Sequence, residues 1–242
     1  MNCLCKKMAL YMGSCRYMGL KQWKDFIPSR FHTTKEILHY LEHFRDIKTY
    51  LNSFPYQKQS VIFGDCNHPA VIDKHTAFIE KSKTENFDTL VLEISSKKVI
   101  YETNQNIPLN AFYCSRDNKH NKEPYTLTEN EISEDIDNIL SISKKLFNND
   151  NFKIMIITHL DLKSKKTNTL LKERNDLCSI LESICKEKGI LCCNIKNGLI
   201  DKNGLVDKTL FIEDVSKDTR HFSDAKKQEM IFSYIAEQFY KL

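Results

Sequence analysis

The sequence has little glycine, proline or tryptophan: of its 242 residues, six are glycine, five are proline and one is tryptophan. It also has no apolar run near the roughly 20 residues that a membrane-spanning helix needs. The first residues lack the long apolar stretch that follows a basic region in a secretory signal. These absences predict an intracellular chain with a cytoplasmic location and no membrane partner.

Several ligand-binding motifs are missing as well. The chain has no P-loop and no G-x-G-x-x-G, and its basic residues are not interleaved with aromatic ones as in single-strand binders. The formal net charge is +4, from 36 basic and 32 acidic residues spread along the chain. A short basic run such as 163–166 is typical of a solvated face. We therefore expect no nucleic-acid partner.

The cysteines do not form a metal-binding or disulfide pattern. There are nine, an odd number, with no C-x-x-C pair, and the adjacent Cys192 and Cys193 do not suit a tetrahedral zinc site. The pattern favours free thiols in a reducing compartment and no bound metal. His39 and His43 lie four residues apart on a predicted helix. Because no H-E-x-x-H motif surrounds them, a solvated helix face is favoured over a metal site.

Short apolar runs alternate with longer segments of helical period. Strands are predicted at 8–12, 60–64, 89–94, 153–158 and 190–195, with a small hairpin strand at 98–101. Helices are predicted at 33–52, 70–83, from 128 to about 146, 167–188 and 223–240. The segment 16–29 has no clear period and is interpreted as irregular, and 104–124 as a long polar insertion or lid.

Continuous apolar strands are typical of a parallel sheet that is covered on both faces. We therefore predict one α/β domain over residues 1–242, with three α/β/α layers and a mostly parallel sheet of about five strands. Two helix starts carry a capping box, Thr33 with Glu36 and Thr128 with Glu131. Gly189 is predicted to cap the carboxyl end of a helix.

The candidate chemistry begins at the first predicted strand. Residues 8–12 run into Gly13, and glycine tolerates the backbone angles of a sharp strand-to-loop turn. Ser14 is therefore expected at the carboxyl end of a strand, where the active sites of open α/β sheets collect. Near the other end of the chain, Asp218 lies three residues before His221. A serine becomes a nucleophile when an adjacent imidazole takes its proton, and a carboxylate can orient that imidazole.

Other interpretations of these residues stay open. Ser14 can be a turn residue, and Asp218 and His221 can cap a helix or lie at the surface. Cys15 is a rival nucleophile beside Ser14, and Cys66 with His68 forms a further Cys–His combination.

The order of the two blocks resembles the SGNH hydrolase superfamily, also called GDSL-like, over essentially the whole chain. In that superfamily a nucleophilic serine follows the first strand in a G-D-S block, and a D-x-x-H block precedes the last helix. The resemblance implies that Ser14 is the nucleophile, His221 the general base and acid, and Asp218 its orienting partner. It also implies a flavodoxin-like sheet.

The oxyanion hole departs from the superfamily pattern. The superfamily uses a glycine after the second strand and an asparagine in a G-x-N-D block after the third. Here the segment 93–96 at the end of the third predicted strand reads Glu-Ile-Ser-Ser, without asparagine. Our hypothesis for the donors comprises the backbone N–H groups of Ser14 or Cys15 and of Gly64, with the side chain of Asn67 or Ser95.

Basic side chains near these blocks are candidate substrate ligands, because arginine and histidine can bind phosphate or carboxylate groups. They can equally be surface ion-pair partners. The candidates are Arg16, His68, His159 and Arg174.

Members of the resembling superfamily act as esterases, carbohydrate deacetylases and sugar acetyltransferases. An intracellular setting, the missing asparagine and a polar segment able to shield the site from water favour acetyl transfer. The expected reaction moves an acetyl group from acetyl-CoA, as co-substrate, to an amino or hydroxyl group of a sugar or nucleotide sugar, through a Ser14 acyl-enzyme or by direct attack. One alternative is a carbohydrate esterase or deacetylase using the same residues, and another is a non-catalytic binding module.

Overall fold

A computed structural model describes residues 9–13, 17, 20, 23–54, 62, 71–102, 106–109, 123–158, 172–199 and 225–242. The strands in these ranges are β1 Ala9–Gly13, β2 Trp23–Arg30, β3 Thr89–Ile94, β4 Lys98–Tyr101, β5 Pro108–Leu109, β6 Tyr125–Thr126, β7 Lys153–Thr158 and β8 Leu191–Cys193. The helices are α1 Thr34–Glu42, α2 Ile47–Asn52, α3 Val71–Ser82, α4 Glu129–Phe147, α5 Lys172–Lys188 and α6 Ala225–Phe239, with a 3-10 helix at Ile195–Leu199. No helix among them is long and apolar enough to cross a membrane.

Five strands form one sheet in the order β2-β1-β3-β7-β8, and every neighbouring pair is parallel. The chain passes from β1 outward to β2 and then back across β1 to β3. The strand order therefore reverses at β1, and ligands of open α/β sheets bind at such a switch point. The three remaining strands form a small antiparallel sheet, β5-β4-β6. The predicted α/β class and five-stranded parallel sheet are confirmed.

Side chains of the sheet alternate between two hydrophobic clusters on its opposite faces. Leu10, Leu92 and Ile156 pack in the cluster that includes residues of α1, α3, α4 and α5. Tyr11 and Val91 pack in the second cluster, which includes residues of α6. Fully burying a large apolar side chain stabilises a fold by about 1.5–3 kcal/mol. Both faces are thus covered by helices, which confirms the three-layer prediction.

Strand β2 lies in the segment 16–29 that the sequence pattern indicates as irregular, and that interpretation is wrong. The strand contains Pro28, and its pairing with β1 shifts between Ala9 and Leu10 and again between Tyr11 and Gly13. Proline cannot donate to a strand ladder and is confined to sheet edges and bulges. Since β2 is an edge strand with irregular pairing, it forms without the continuous apolar run of a central strand.

The strand predicted at 60–64 is wrong at the residue that the structure describes. Ile62 is helical and buried, and its neighbours in that segment lie outside the described residues. Periodicity alone does not separate a short buried strand from a buried helical segment. The second strand of the described sheet is β2, and Gly64 and Asn67 lie outside the described residues.

The predicted helix at 33–52 is two helices, α1 and α2, with a turn at 43–46 between them. The side chain of Thr33 accepts a 3.2 Å hydrogen bond from the backbone N–H three residues later, which confirms its cap. The capping box of Thr128 and Glu131 is complete at the start of α4. After α5, Gly189 has a φ of 64°, the left-handed conformation that glycine adopts at a helix end.

Candidate active site

The carboxyl end of β1 is the place at which the sequence predicts catalysis. The carbonyl of Gly13 accepts a 3.2 Å hydrogen bond from the N–H of Phe31, directly after β2. On its other side β1 pairs with β3, where Met12 is the partner of Leu92. Ser14 is the next residue of the chain and lies outside the described residues.

Directly beyond Gly13, the two strands that flank β1 are bonded to each other. The carbonyl of His32, two residues after β2, accepts hydrogen bonds from the N–H groups of Ser95 at 3.0 Å and Ser96 at 2.9 Å, just after β3. Within the sheet, β1 separates β2 from β3. The slot that β1 occupies is therefore closed at its carboxyl end by these two hydrogen bonds.

The side chains of His32 and Ser95 are paired as well. Nδ1 of His32 lies 2.9 Å from Oγ of Ser95, and both residues are partly exposed. The backbone N–H of His32 donates to the carboxylate of Glu36 at 3.0 Å. The Thr33 hydroxyl donates to the other oxygen of that carboxylate. A histidine and a hydroxyl are thus held together at the edge of the sheet, within reach of solvent.

Gly13 is required by space rather than by the backbone angles that the sequence analysis invokes. Its φ is not positive. A Cβ at this position would lie 2.6 Å from Cβ of Glu93 and 2.6 Å from the hydroxyl oxygen of Tyr11. Both distances are far inside van der Waals contact, so only glycine permits this close approach of β1 to β3.

A buried acid and phenol lie beside Gly13. The hydroxyl of Tyr11 donates a 2.7 Å hydrogen bond to Oε2 of Glu93, and both residues are buried. Removing a carboxyl group from water is unfavourable unless donors replace the lost hydration. The Tyr11 hydroxyl supplies such a donor and links β1 to β3 next to the candidate site.

Among the sequence-predicted site residues, Ser95 has a described environment, and its hydroxyl contacts His32. Arg174 is the third described residue of α5, and its side chain is not described. The other candidates lie outside the described residues, and their roles stay predictions. They are Ser14, Cys15, Arg16, Gly64, Asn67, His68, His159, Asp218 and His221.

His32 is the residue at this edge that the sequence reasoning missed. It follows a strand without an apolar run and immediately precedes Thr33, the cap of α1. The signal that would have found it is the order of elements, because a residue between a parallel strand and the next helix lies at the carboxyl edge of the sheet. That signal depends on recognising β2.

His39 and His43 form an aromatic cluster with Tyr50. Nε2 of His39 lies 2.5 Å from the Tyr50 hydroxyl, and the ring of His43 stacks on Tyr50 at 3.7 Å. Burial, with a smaller contribution from His43, lowers the pKa of His39 to about 4. With 14% of its side chain exposed, His39 does not belong to the solvated face that the sequence favours. In the described part of the chain, no group of three or more His, Cys, Asp or Glu is placed to hold a metal.

A cavity of about 500 Å³ lies at the opposite edge of the sheet. Its lining includes Phe44 after α1, Ile79 and Lys83 at the end of α3, and Leu146 at the end of α4. Helices α3 and α4 end just before β3 and β7 begin, which places the cavity at the amino edge. It is therefore separate from the His32–Ser95 pair.

No protein-family model and no curated protein sequence matches the chain. Similar solved structures include a GDSL-like lipase from Bacteroides thetaiotaomicron, with 11% identity and a TM-score of 0.45 over 98% of this chain and 89% of that one. A protein of the G-D-S-L family from Desulfitobacterium hafniense has 10% identity and a TM-score of 0.42 over 96% and 99%. The aryl esterase of M. smegmatis has 10% identity and a TM-score of 0.42 over 98% and 99%. Two of these three are named as GDSL-type proteins.

Proposed function

We propose that the chain is a serine-dependent carboxylic ester hydrolase, with Ser14 as nucleophile, His221 as general base and acid, and Asp218 as the residue that orients His221. The substrate class that we propose is a small carboxylic ester, with esters of carbohydrates as the class that the superfamily resemblance implies. Hydrolysis by such a site needs no metal and no cofactor.

The observation that carries this proposal is the closure of the β1 slot. The hydrogen bonds from Ser95 and Ser96 to the carbonyl of His32 occupy the place into which β1 would otherwise extend. We propose that the chain after Gly13 turns away from β2 and β3 and presents Ser14 above the carboxyl edge of the sheet, where a base from a later loop can reach it.

One of the arguments for acetyl transfer loses its support. The missing asparagine counts against a hydrolytic site, yet His32 and Ser95 bring polar side chains to the same edge. Water is the acceptor that needs no binding site of its own, so hydrolysis is the simpler reaction.

In the proposed reaction, Oγ of Ser14 bonds to the ester carbonyl carbon while His221 takes the hydroxyl proton. The carbonyl electron pair moves to its oxygen, then returns as the bond to the leaving alcohol breaks. His221 gives its proton to that alcohol. Water then attacks the acyl-enzyme in the same way, and the acid and free Ser14 are regenerated.

A fluorophosphonate probe tests the nucleophile, because it forms a stable adduct with an activated serine. We expect peptide mass spectrometry to place the adduct on Ser14, and Ser14→Ala to lower kcat/KM for p-nitrophenyl acetate by at least about 10³-fold. Ser53→Ala, at an exposed serine after α2, is the matched control with unchanged turnover.

Four results would overturn the proposal. One is full ester hydrolysis by Ser14→Ala, and another is an adduct at a different residue. Loss of activity in Cys15→Ala together with activity in Ser14→Ala would make the neighbouring thiol the nucleophile. Thiol release from acetyl-CoA that requires an amino sugar, without any ester hydrolysis, would favour the transferase.

A further inference from the structure

We propose that His32 is a catalytic residue of this site, whose ring N–H stabilises the negative oxygen formed when Ser14 attacks, and that Ser95 positions it. This inference rests on the proposed function and names donors that the superfamily pattern does not contain. It replaces the hypothesis in which the Ser95 hydroxyl itself is the donor.

The location of His32 is the first argument. His32 follows Phe31, whose N–H is bonded to the carbonyl of Gly13, and Ser14 follows Gly13. His32 and Ser14 are therefore each the next residue of the chain after the bonded pair of Phe31 and Gly13. Donors that stabilise an acyl oxygen have to lie beside the nucleophile, and this is the position that the proposal gives to His32.

The rigidity of His32 is the second argument. Its carbonyl accepts two hydrogen bonds from residues that follow β3, its N–H donates to Glu36, and its ring contacts Ser95. Electrostatic stabilisation is effective when the donor is fixed before the reaction and does not reorganise during it. Contacts from β3 and from the first turn of α1 fix His32 in this way.

The chemistry of the ring partner is the third argument. Nδ1 of His32 lies 2.9 Å from the neutral hydroxyl of Ser95. If the Ser95 hydroxyl donates to Nδ1, the ring proton resides on Nε2 and the ring is a neutral donor. Neutral imidazole can polarise a carbonyl in this way. The carboxylate of Glu36 is bonded to the His32 backbone and to Thr33.

The departure of the sequence from the superfamily pattern is the fourth argument. The superfamily places the longer side chain of asparagine after the third strand, and this chain has Ser95 there. Serine is shorter, and its hydroxyl lies 2.9 Å from His32. Together, the short hydroxyl after β3 and the longer imidazole after β2 can supply the missing donor.

His32 transfers no proton in this role. When Ser14 bonds to the carbonyl carbon, the electron pair shifts to the carbonyl oxygen, and Nε2–H of His32 donates a hydrogen bond to it. When the pair returns and the leaving-group bond breaks, the hydrogen bond weakens. Proton transfers stay with His221.

Steady-state kinetics with p-nitrophenyl acetate on the full chain test the inference. We expect His32→Ala to lower kcat by about 10²–10³-fold with KM changed less than about threefold, as for other lost oxyanion donors. His32→Gln keeps a side-chain N–H donor and should return kcat to within about tenfold of the wild type. A general base would give the opposite pattern, since glutamine cannot accept the serine proton.

Ser95 is tested separately because it acts through His32. Loss of an orienting partner typically lowers activity by about 10–100-fold, so we expect Ser95→Ala to lower kcat by about tenfold. Ser95→Thr keeps the hydroxyl and should restore kcat, which a purely steric role would not predict. His43→Gln, at a histidine outside the site, is the matched control with unchanged kcat.

The outcomes separate the two proposals. Equal kcat in His32→Ala and wild type, with the Ser14 adduct present, overturns the inference and leaves the proposed function standing. Equal inactivity of His32→Gln and His32→Ala, at unchanged melting temperature, also overturns it and makes His32 a base. Absence of the Ser14 adduct in the wild type overturns the proposed function and the inference together. If His32→Ala melts at a lower temperature, the Ser95 variants test the inference instead. A kcat that is lowered in Ser95→Ala and restored in Ser95→Thr supports it, and an unchanged kcat in Ser95→Ala overturns it.

Discussion

The hydroxyl of Tyr11 in β1 donates a 2.7 Å hydrogen bond to the carboxylate of Glu93. Glu93 is the next-to-last residue of β3, the strand adjacent to β1. Both side chains are buried, and Gly13 packs against both of them. The end of β1 is therefore held against β3 by a polar contact and by close packing. Such rigid support is what the proposed nucleophile Ser14, the residue after Gly13, requires.

We expect Tyr11→Phe to lower the free energy of unfolding by about 1–3 kcal/mol, because a buried hydrogen-bonded group loses a partner. Urea unfolding followed by circular dichroism measures the change. Tyr240→Phe is the matched control, since Tyr240 is 68% exposed, and should change the stability by less than about 0.5 kcal/mol. Equal stabilities of the two variants would contradict a stabilising role for the Tyr11–Glu93 contact.

We expect Gly13→Ala to lower the free energy of unfolding by about 1–3 kcal/mol, the usual cost of adding a methyl group to a fully packed site. The added Cβ would lie 2.6 Å from Cβ of Glu93 and 2.6 Å from the hydroxyl oxygen of Tyr11, and both of these side chains are buried. Thermal unfolding of the purified wild type and Gly13→Ala measures this loss of stability.

Gly189→Ala provides the comparison for that variant. At Gly189 a Cβ meets nothing within 4 Å, and the positive φ of 64° is the source of strain. We expect a loss of about 1 kcal/mol there from backbone strain alone. The packing argument would be wrong if a crystal structure of Gly13→Ala showed β1 and β3 at unchanged spacing and the variant unfolded at the same temperature as the wild type.

Acid should destabilise the protein through His75. Burial, and secondarily Lys74, lowers the pKa of His75 from its ordinary 6.5 to about 3, and Nδ1 lies 2.8 Å from the Tyr40 hydroxyl. Because the unfolded chain takes up the proton first, the contribution of His75 to stability is complete above pH 6.5. It falls as the pH drops from 6.5 toward 3, by up to about 1.4 kcal/mol per pH unit.

His75→Gln removes this titration while keeping a polar partner for Tyr40. We expect its free energy of unfolding to fall less steeply between pH 6.5 and 4.5 than that of the wild type. Proton NMR of the folded wild type at pH 5 should show His75 in its neutral form. A protonated His75 at that pH, or identical slopes for the two proteins, would contradict the assignment.

The capping box of α4 gives a further prediction. The Thr128 hydroxyl accepts from the N–H of Glu131 at 3.3 Å, and the Glu131 carboxylate accepts from the N–H of Thr128 at 2.8 Å. We expect Thr128→Ala to lower the free energy of unfolding by about 1 kcal/mol. Thr126→Ala, at an exposed position two residues earlier, should leave it nearly unchanged. Equal losses in both variants would mean that the cap does not stabilise α4.

The local sequence pattern alone was enough to predict the central strands and the helix ends. Residues 89–94 and 153–158 are continuous apolar runs, and each is a buried central strand because both of its faces are covered. Thr33, Thr128 and Gly189 cap helices because a cap depends on bonds within one or two turns of chain. Information of this kind lies in residues a few positions apart, so the sequence displays it directly.

Contacts across the fold decided the rest. Pro28 is tolerated because β2 is an edge strand, and no local pattern reveals which strand lies at the edge. Ile62 is helical although its apolar neighbours in the sequence suit a strand. The His32–Ser95 pair joins residues 63 positions apart. It exists because β1 ends between two strands whose continuations then meet. Strand order and register set that meeting, and both are properties of the assembled sheet rather than of any segment of the chain.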